Sequence, residues 1–239
     1  MKINIHAGHN PDGKVACGAV GHIYESTEAR NVVSKLITLL QKAGHTVYNC
    51  TVDNGTSQSD VLDRIVRKCN SNSVDLDISI HFNAGAKDNF GNGSNTGTEV
   101  LVYNKATKAY EYAEKVCMEI SKLGYKNRGV KVNQGLYFLN NTKAPAMLIE
   151  CCFVDDVDDV KLYSSDKMAK AIATAICGDT KDDEEMDKTI IKLTVNGTAK
   201  TLEGFNVGGT NYVTIRELCD LVGVTVVYDS ATKTVVLSK

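Results

Sequence analysis

Residues Asp75 to Ala84 read Asp-Leu-Asp-Ile-Ser-Ile-His-Phe-Asn-Ala, or DLDISIHFNA. Ile78 and Ile80 alternate with Ser79 and His81, the pattern of a strand packed between two layers. A run of Gly, Asn, Ser and Asp follows, so the strand should stop just beyond His81. That puts an imidazole at the carboxyl end of a strand, where open α/β sheets bind their ligands.

The segments on either side repeat the theme. Upstream, Lys2 to Gly8 alternates with Ile3, Ile5 and Ala7 on one side and runs into Gly8-His9-Asn10-Pro11-Asp12-Gly13, a strand that ends in a turn. A loop continues to about Glu25. There Ala29, Val32, Val33, Leu36, Ile37, Leu40 and Ala43 begin a helix that Gly44 closes. His45 to Thr51 reads as a second strand and Ser57 to Asn72 as a second helix.

Downstream, Gly85 to Gly97 is too polar to pack and is expected to be a mobile surface loop, a candidate wall of a substrate groove. Thr98 to Tyr103 reads as a strand, Lys105 to Leu123 as an amphipathic helix, and Leu136 to Leu139 and Ala146 to Cys151 as short strands. A helix from about Asp166 to Cys177 closes the series. Strands alternating with helices of this length predict an α/β fold: a mainly parallel twisted sheet with helices on both faces, followed by a small α+β C-terminal module.

The boundary of that module lies in GDTKDDEEMDK, Gly178 to Lys188, which reads as an acidic linker. The predicted organisation is therefore a domain over 1–177, a linker over 178–188 and a module over 189–239. In the module, Ile190 to Val195 alternates into Asn196-Gly197, a strong hairpin signal. Thr214 to Val222 reads as a helix, and Val224 to Tyr228 with Thr234 to Leu237 as a final hairpin.

A chain of 239 residues with net charge −2 and no Lys/Arg stripe argues against nucleic acid as a partner. No apolar run reaches the roughly twenty residues of a bilayer span. The sequence opens directly on strand-like KINIHAG, without a basic and then apolar leader, so a cytoplasmic start is expected. The eight cysteines show no CxxC spacing and are read as buried, reduced thiols.

Four side chains of the first domain could meet at the carboxyl edge of one sheet: His9, Glu25, His81 and Glu150. Two His and one carboxylate around an open position make a hydrolytic zinc ligand set. A further carboxylate that does not bind metal supplies the general base. Each has a structural alternative: His9 as a turn residue, Glu25 as a charge at a helix N-terminus, His81 as a hydrogen-bonded core histidine, Glu150 as a strand-end surface carboxylate. Glu150 interrupts the apolar run Ala146 to Phe153, where a carboxylate is costly unless paired or functional.

AGHN at Ala7 to Asn10, Glu25-Ser26, SIHFNA at Ser79 to Ala84, NRGVK at Asn127 to Lys131 and PAMLIE at Pro145 to Glu150 occur in this order. Together they resemble the zinc-dependent N-acetylmuramoyl-L-alanine amidases of the Amidase_3 family, over roughly residues 1 to 177. The resemblance implies zinc as the cofactor, His9, Glu25 and His81 as its ligands, and Glu150 as the catalytic acid/base. Counting back from Ala43-Gly44 favours Glu25 over Glu28. The family usually carries Asp at the position of His6 and a second Gly at that of Asn10, which makes His6 and His22 rival imidazoles.

The implied substrate is peptidoglycan, cut between N-acetylmuramic acid and L-alanine. The expected setting is a phage or prophage endolysin that stays in the cytoplasm until released to the wall, with a host autolysin as the alternative. A zinc peptidase acting on the stem peptide, or an inactive wall-binding protein, are the competing functions. The tail, LTVNG and then NYVTIRELCDLVGVTVVYDSATKTVVL, resembles the small stalk-like domain named after the copper amine oxidase N-terminus. It contains no His, and is read as a wall-binding or homo-oligomerising module.

Overall fold

The alternation of residues 76–83 is a strand, and its two faces part the apolar from the polar side chains. The computed structural model describes residues 1–178, 188–207, 209–229 and 234–238. Contacts divide the chain into two units, Met1–Thr180 and Lys181–Lys239.

In the first unit the elements run β1 (Lys2–Ala7), α1 (Glu25–Lys42), β2 (Thr46–Asn49), α2 (Gln58–Asn70), β3 (Leu76–Asn83) and β4 (Thr98–Val102). They continue as α3 (Ala109–Ser121), β5 (Asn127–Val132), α4 (Tyr137–Asn141), β6 (Ala146–Phe153), α5 (Val157–Leu162) and α6 (Ser165–Cys177). The six strands form one sheet in the order β2-β1-β3-β6-β4-β5. Four of the five pairings are parallel, and β4 meets β6 antiparallel. The predicted α/β class, a mainly parallel sheet between helices, is the observed one.

On one face Ile3, Ile5, Ile78, Ile80, Met147 and Ile149 pack under α1, α3 and α6 in a single apolar core. On the other, Leu148 and Ala146 pack under α2 and α4. Asn4, His6, Asp77 and Ser79 are also buried on that second side. Asn4 Nδ2 donates to Asp77 Oδ1 at 2.6 Å and to the Cys69 carbonyl at 3.0 Å. Burial pushes the Asp77 carboxyl up to about 6 in spite of that bond.

Three expectations are corrected. Leu136 to Leu139 does not form a strand: α4 covers Tyr137–Asn141, because the adjacent Phe138 and Leu139 are both buried, which one helical turn allows and a one-sided strand does not. Asn127–Val132, quoted above only as a motif, is the edge strand β5. The segment Gly85 to Gly97, expected to be mobile, is tied down by aspartates from the β6–α5 corner. Asp155 accepts from the backbone N–H groups of Gly85, Ala86 and Lys87, Asp158 from those of Asn92 and Gly93, and Asp159 from that of Gly97. A polar loop that cannot bury side chains is held through its backbone donors instead.

The second unit contains an antiparallel sheet of β7 (Lys188–Val195), β8 (Thr198–Val207) and β9 (Thr210–Val213). After it come α7 (Ile215–Val222) and the antiparallel pair β10 (Thr225–Asp229) and β11 (Thr234–Ser238). Asn196 and Gly197 have φ of 50° and 80°, the left-handed pair that a tight two-residue hairpin requires. The acidic linker expected over 178–188 falls almost wholly outside the described residues. All eight cysteines are free thiols, six of them buried.

Candidate metal centre

The parallel strands β1, β3 and β6 bring their carboxyl ends to one edge of the sheet, and the sequence places its chemistry there. His9 lies two residues beyond β1, in a left-handed conformation at φ 65°. Glu25 opens α1, and its backbone N–H donates to the Ala19 carbonyl at 3.0 Å. His81 lies on β3 in register with Glu150 of β6.

These positions converge. His81 Nδ1 is 2.9 Å and His9 Nε2 is 3.3 Å from the same Glu25 oxygen, Oε1. One ligand-type atom from each of the three residues lies within 4.8 Å of the other two. The His9 and His81 rings meet edge to face, with centroids 4.9 Å apart. Burial alone would push the Glu25 carboxyl up. Hydrogen bonds and charge from His81 and His9 override it and hold the group well below the usual carboxylate range. Glu25 Oε2 also accepts from the Ala19 N–H at 2.7 Å, and Oε1 from the Phe82 N–H at 3.2 Å.

Two glycines make room for this cluster. A Cβ on Gly8 would come within 2.1 Å of the His81 ring. A Cβ on Gly18, at φ 83°, would come within 2.6 Å of Glu25 Oε2 and 2.8 Å of His9. Two nitrogens and one carboxylate oxygen, with Gly8 and Gly18 leaving room beside them, suit a divalent ion of the zinc type.

Glu150 stands beside the group. One of its carboxylate oxygens, Oε2, is enclosed and has no hydrogen-bond partner among the described residues. Burial, joined by the negative charges of Glu25 and Glu99, pushes the Glu150 carboxyl up to about 8. Glu99, in register with it on β4, is itself engaged: it accepts from Arg128 Nε at 2.9 Å and from Asn83 Nδ2 at 2.9 Å.

The rival residues lie elsewhere. His6 is buried deeper in the sheet, its Nδ1 3.2 Å from the Ala7 carbonyl and its ring edge to face with Phe138. Burial, with the nearby His81, lowers its pKa to about 3, so it stays neutral. His22 is exposed and outside the cluster. Glu28 accepts from the Tyr163 hydroxyl at 2.9 Å.

The sequence reading missed the brace behind His9. Arg30 Nη2 donates to the carbonyls of His9 at 2.9 Å and Val52 at 3.1 Å, and Nη1 to that of Ser26 at 2.8 Å. Arg30 also pairs with Asp53 at 2.7 Å. Its signal was an Arg beside the inward positions Ala29 and Val33 of α1.

Residues 3–179 match the family Amidase_3, described as N-acetylmuramoyl-L-alanine amidase. An uncharacterized protein of Clostridium perfringens is 40% identical over 180 residues, 74% of this chain and 51% of that protein. The endolysin of Bacillus phage SPP1 is 29% identical over 174 residues, 71% of this chain and 60% of its own length. Among solved structures, the catalytic domain of an endolysin targeting Clostridia Difficile aligns with a TM-score of 0.68 at 29% identity, over 76% of this chain and 99% of that one. The chain spans about half the length of the curated Clostridium perfringens proteins it matches. Family match and sheet-edge geometry cover the same residues, and the chain belongs to the Amidase_3 family of N-acetylmuramoyl-L-alanine amidases.

Proposed function

We propose that this protein hydrolyses peptidoglycan at the amide between the lactyl group of N-acetylmuramic acid and L-alanine, with zinc held by His9, Glu25 and His81 and with Glu150 as general acid/base. The observation that carries this is the convergence of three ligand-type atoms within 4.8 Å, beside a partly enclosed carboxyl raised to about 8. Bound there, zinc would bring the pKa of a water towards ~7 and polarise the carbonyl to be attacked.

The chain's own groups do the rest. Glu150 accepts the proton of the attacking water as the C–O bond forms, and donates it to the alanine nitrogen as the C–N bond breaks. Glu150 Oε2, without a hydrogen-bond partner among the described residues, is free for both transfers.

The setting is read as cell-wall lysis of the endolysin kind, which the similarity to a phage endolysin and to an endolysin catalytic domain supports. We assign residues 189–239 to wall binding or self-association. Wall pull-down and mass in solution, measured on the full chain and on residues 1–180, separate those roles. Digesting purified wall with chelated and zinc-restored protein tests the activity. New L-alanine amino ends that appear only with metal support an amidase; cuts within the stem peptide would make it a peptidase instead, and no cleavage at all would leave a wall-binding protein.

A further inference from the structure

The loop after β2 forms one side of a cleft of about 570 Å³, lined by Lys14, Thr51, Asp53, Arg64, Arg67 and Lys68 among others. That volume is typical of a small-ligand site. Three of the cations around it are matched by carboxylates: Arg30 by Asp53, Arg64 by Asp60 and Arg67 by Asp63. Among the described residues the two lysines are not. Lys14 Nζ donates to the Asp53 carbonyl at 2.9 Å, and Lys68 Nζ to the Thr51 carbonyl at 2.6 Å. Each ammonium has three donors, and a carbonyl does not neutralise its charge. Two uncompensated positive charges thus face one cleft in a chain whose net charge is −2.

The cleft is also wired to the metal centre. Asp53 takes the Arg30 guanidinium, and the same guanidinium holds the His9 carbonyl at 2.9 Å. Asn10, next to His9, donates to the Gly55 carbonyl at 2.8 Å and accepts its N–H at 3.0 Å. The cleft therefore lies one side chain away from the backbone of a candidate ligand.

We propose that Lys14 and Lys68, set on either side of the 51–53 loop and joined to His9 through Arg30, form a subsite for a carboxylate of the peptide stem. This rests on the amidase reading. In that substrate the muramic carboxyl is the acyl half of the bond to be cut, so free carboxylates lie on the peptide side. The subsite fixes polarity: the peptide extends towards β2 and α2, and the glycan away from them.

The test combines kinetics with binding on the full chain. On purified wall, Lys14→Gln/Lys68→Gln is expected to raise KM about tenfold at low salt with kcat within twofold, and Lys14→Arg/Lys68→Arg to restore KM. The difference should persist on wall stripped of phosphodiester polymers and vanish on wall whose carboxylates have been amidated. Lys122→Gln, at the residue that follows α3 and paired with Glu119, serves as the surface control. In a Glu150→Gln background, where turnover is reduced to a residual level, sedimentation with the same walls should show the same tenfold loss.

An unchanged KM, a loss that survives amidation, or a loss seen only with phosphodiester polymers present would each overturn the subsite. So would a fall in kcat and melting temperature without a change in KM, which is the mark of two lysines that merely tie down a loop. Failure of the amidase reading looks different: the parent chain then releases no L-alanine amino ends from any wall.

Discussion

His81 and Glu150 hold paired positions on β3 and β6, so their side chains leave the same side of the sheet one strand apart. One belongs to the cluster around Glu25, and the other has an oxygen with no partner. Replacing Glu150 by Gln keeps size and shape but removes the proton acceptor. Turnover should fall by roughly 10²–10⁴-fold, while zinc content, read by elemental analysis, stays at the parent level. Near-normal turnover would remove Glu150 from the chemistry.

The raised Glu150 carboxyl also has a cost in stability, and its sign is definite. With the folded value at about 8 and the ordinary one at 4.5, the folded chain holds a proton that the unfolded chain has lost between those pH values. Stability therefore drops as pH rises through that window. In chelator, Glu150→Gln should match the parent near pH 4 and exceed it by roughly 2–4 kcal/mol near pH 9. Urea midpoints at the two pH values measure this, and equal gaps at both would mean that Glu150 is not the titrating group.

Much of this was legible in the sequence. The alternation of Ile78 and Ile80, the spacing from Ala29 to Leu40 and the Asn196-Gly197 pair are local signals, and local physics decided those elements. The His9, Glu25 and His81 positions could be named as candidates, but their convergence on one carboxylate oxygen depends on tertiary register that no spacing states. What stayed hidden were partnerships across distance: Arg30 with the His9 carbonyl, and Asp155 with the 85–87 backbone. Four apolar residues at 136–139 suit a strand or a helical turn equally, and only the partner surface of α2 and β6 chose the turn.

Gly8 offers a test of the centre that touches no ligand. Its backbone does not need glycine for φ, yet an added Cβ would sit 2.1 Å from the His81 ring. That ring is the end of a side chain and not backbone, so it is the part that must give way, with the loss of its bond to Glu25. Gly8→Ala should therefore lose at least about tenfold in zinc affinity, in the range seen when the shell around a ligand is disturbed, with the metal-free melting temperature little changed. Full zinc occupancy in this variant would show that the His81 ring need not lie where the structure has it.

Asn10 tests the scaffold in the opposite sense. It is fully buried, and its amide reaches three backbone groups: the Val15 carbonyl and the Gly55 carbonyl at 2.8 Å, and the Gly55 N–H at 3.0 Å. The bonds to Gly55 fasten the His9 loop to the segment after β2. Asn10→Ala removes the amide and leaves buried backbone groups without partners, each costing about 1–3 kcal/mol. The variant should lose roughly 2–4 kcal/mol of stability in urea. Because His9 adjoins the lost anchor, zinc affinity should weaken in step. Asp12→Ala, at an exposed position of the same loop, should move neither quantity; if Asn10→Ala behaved like it, the Asn10–Gly55 bridge would carry no strain-bearing role for the metal loop.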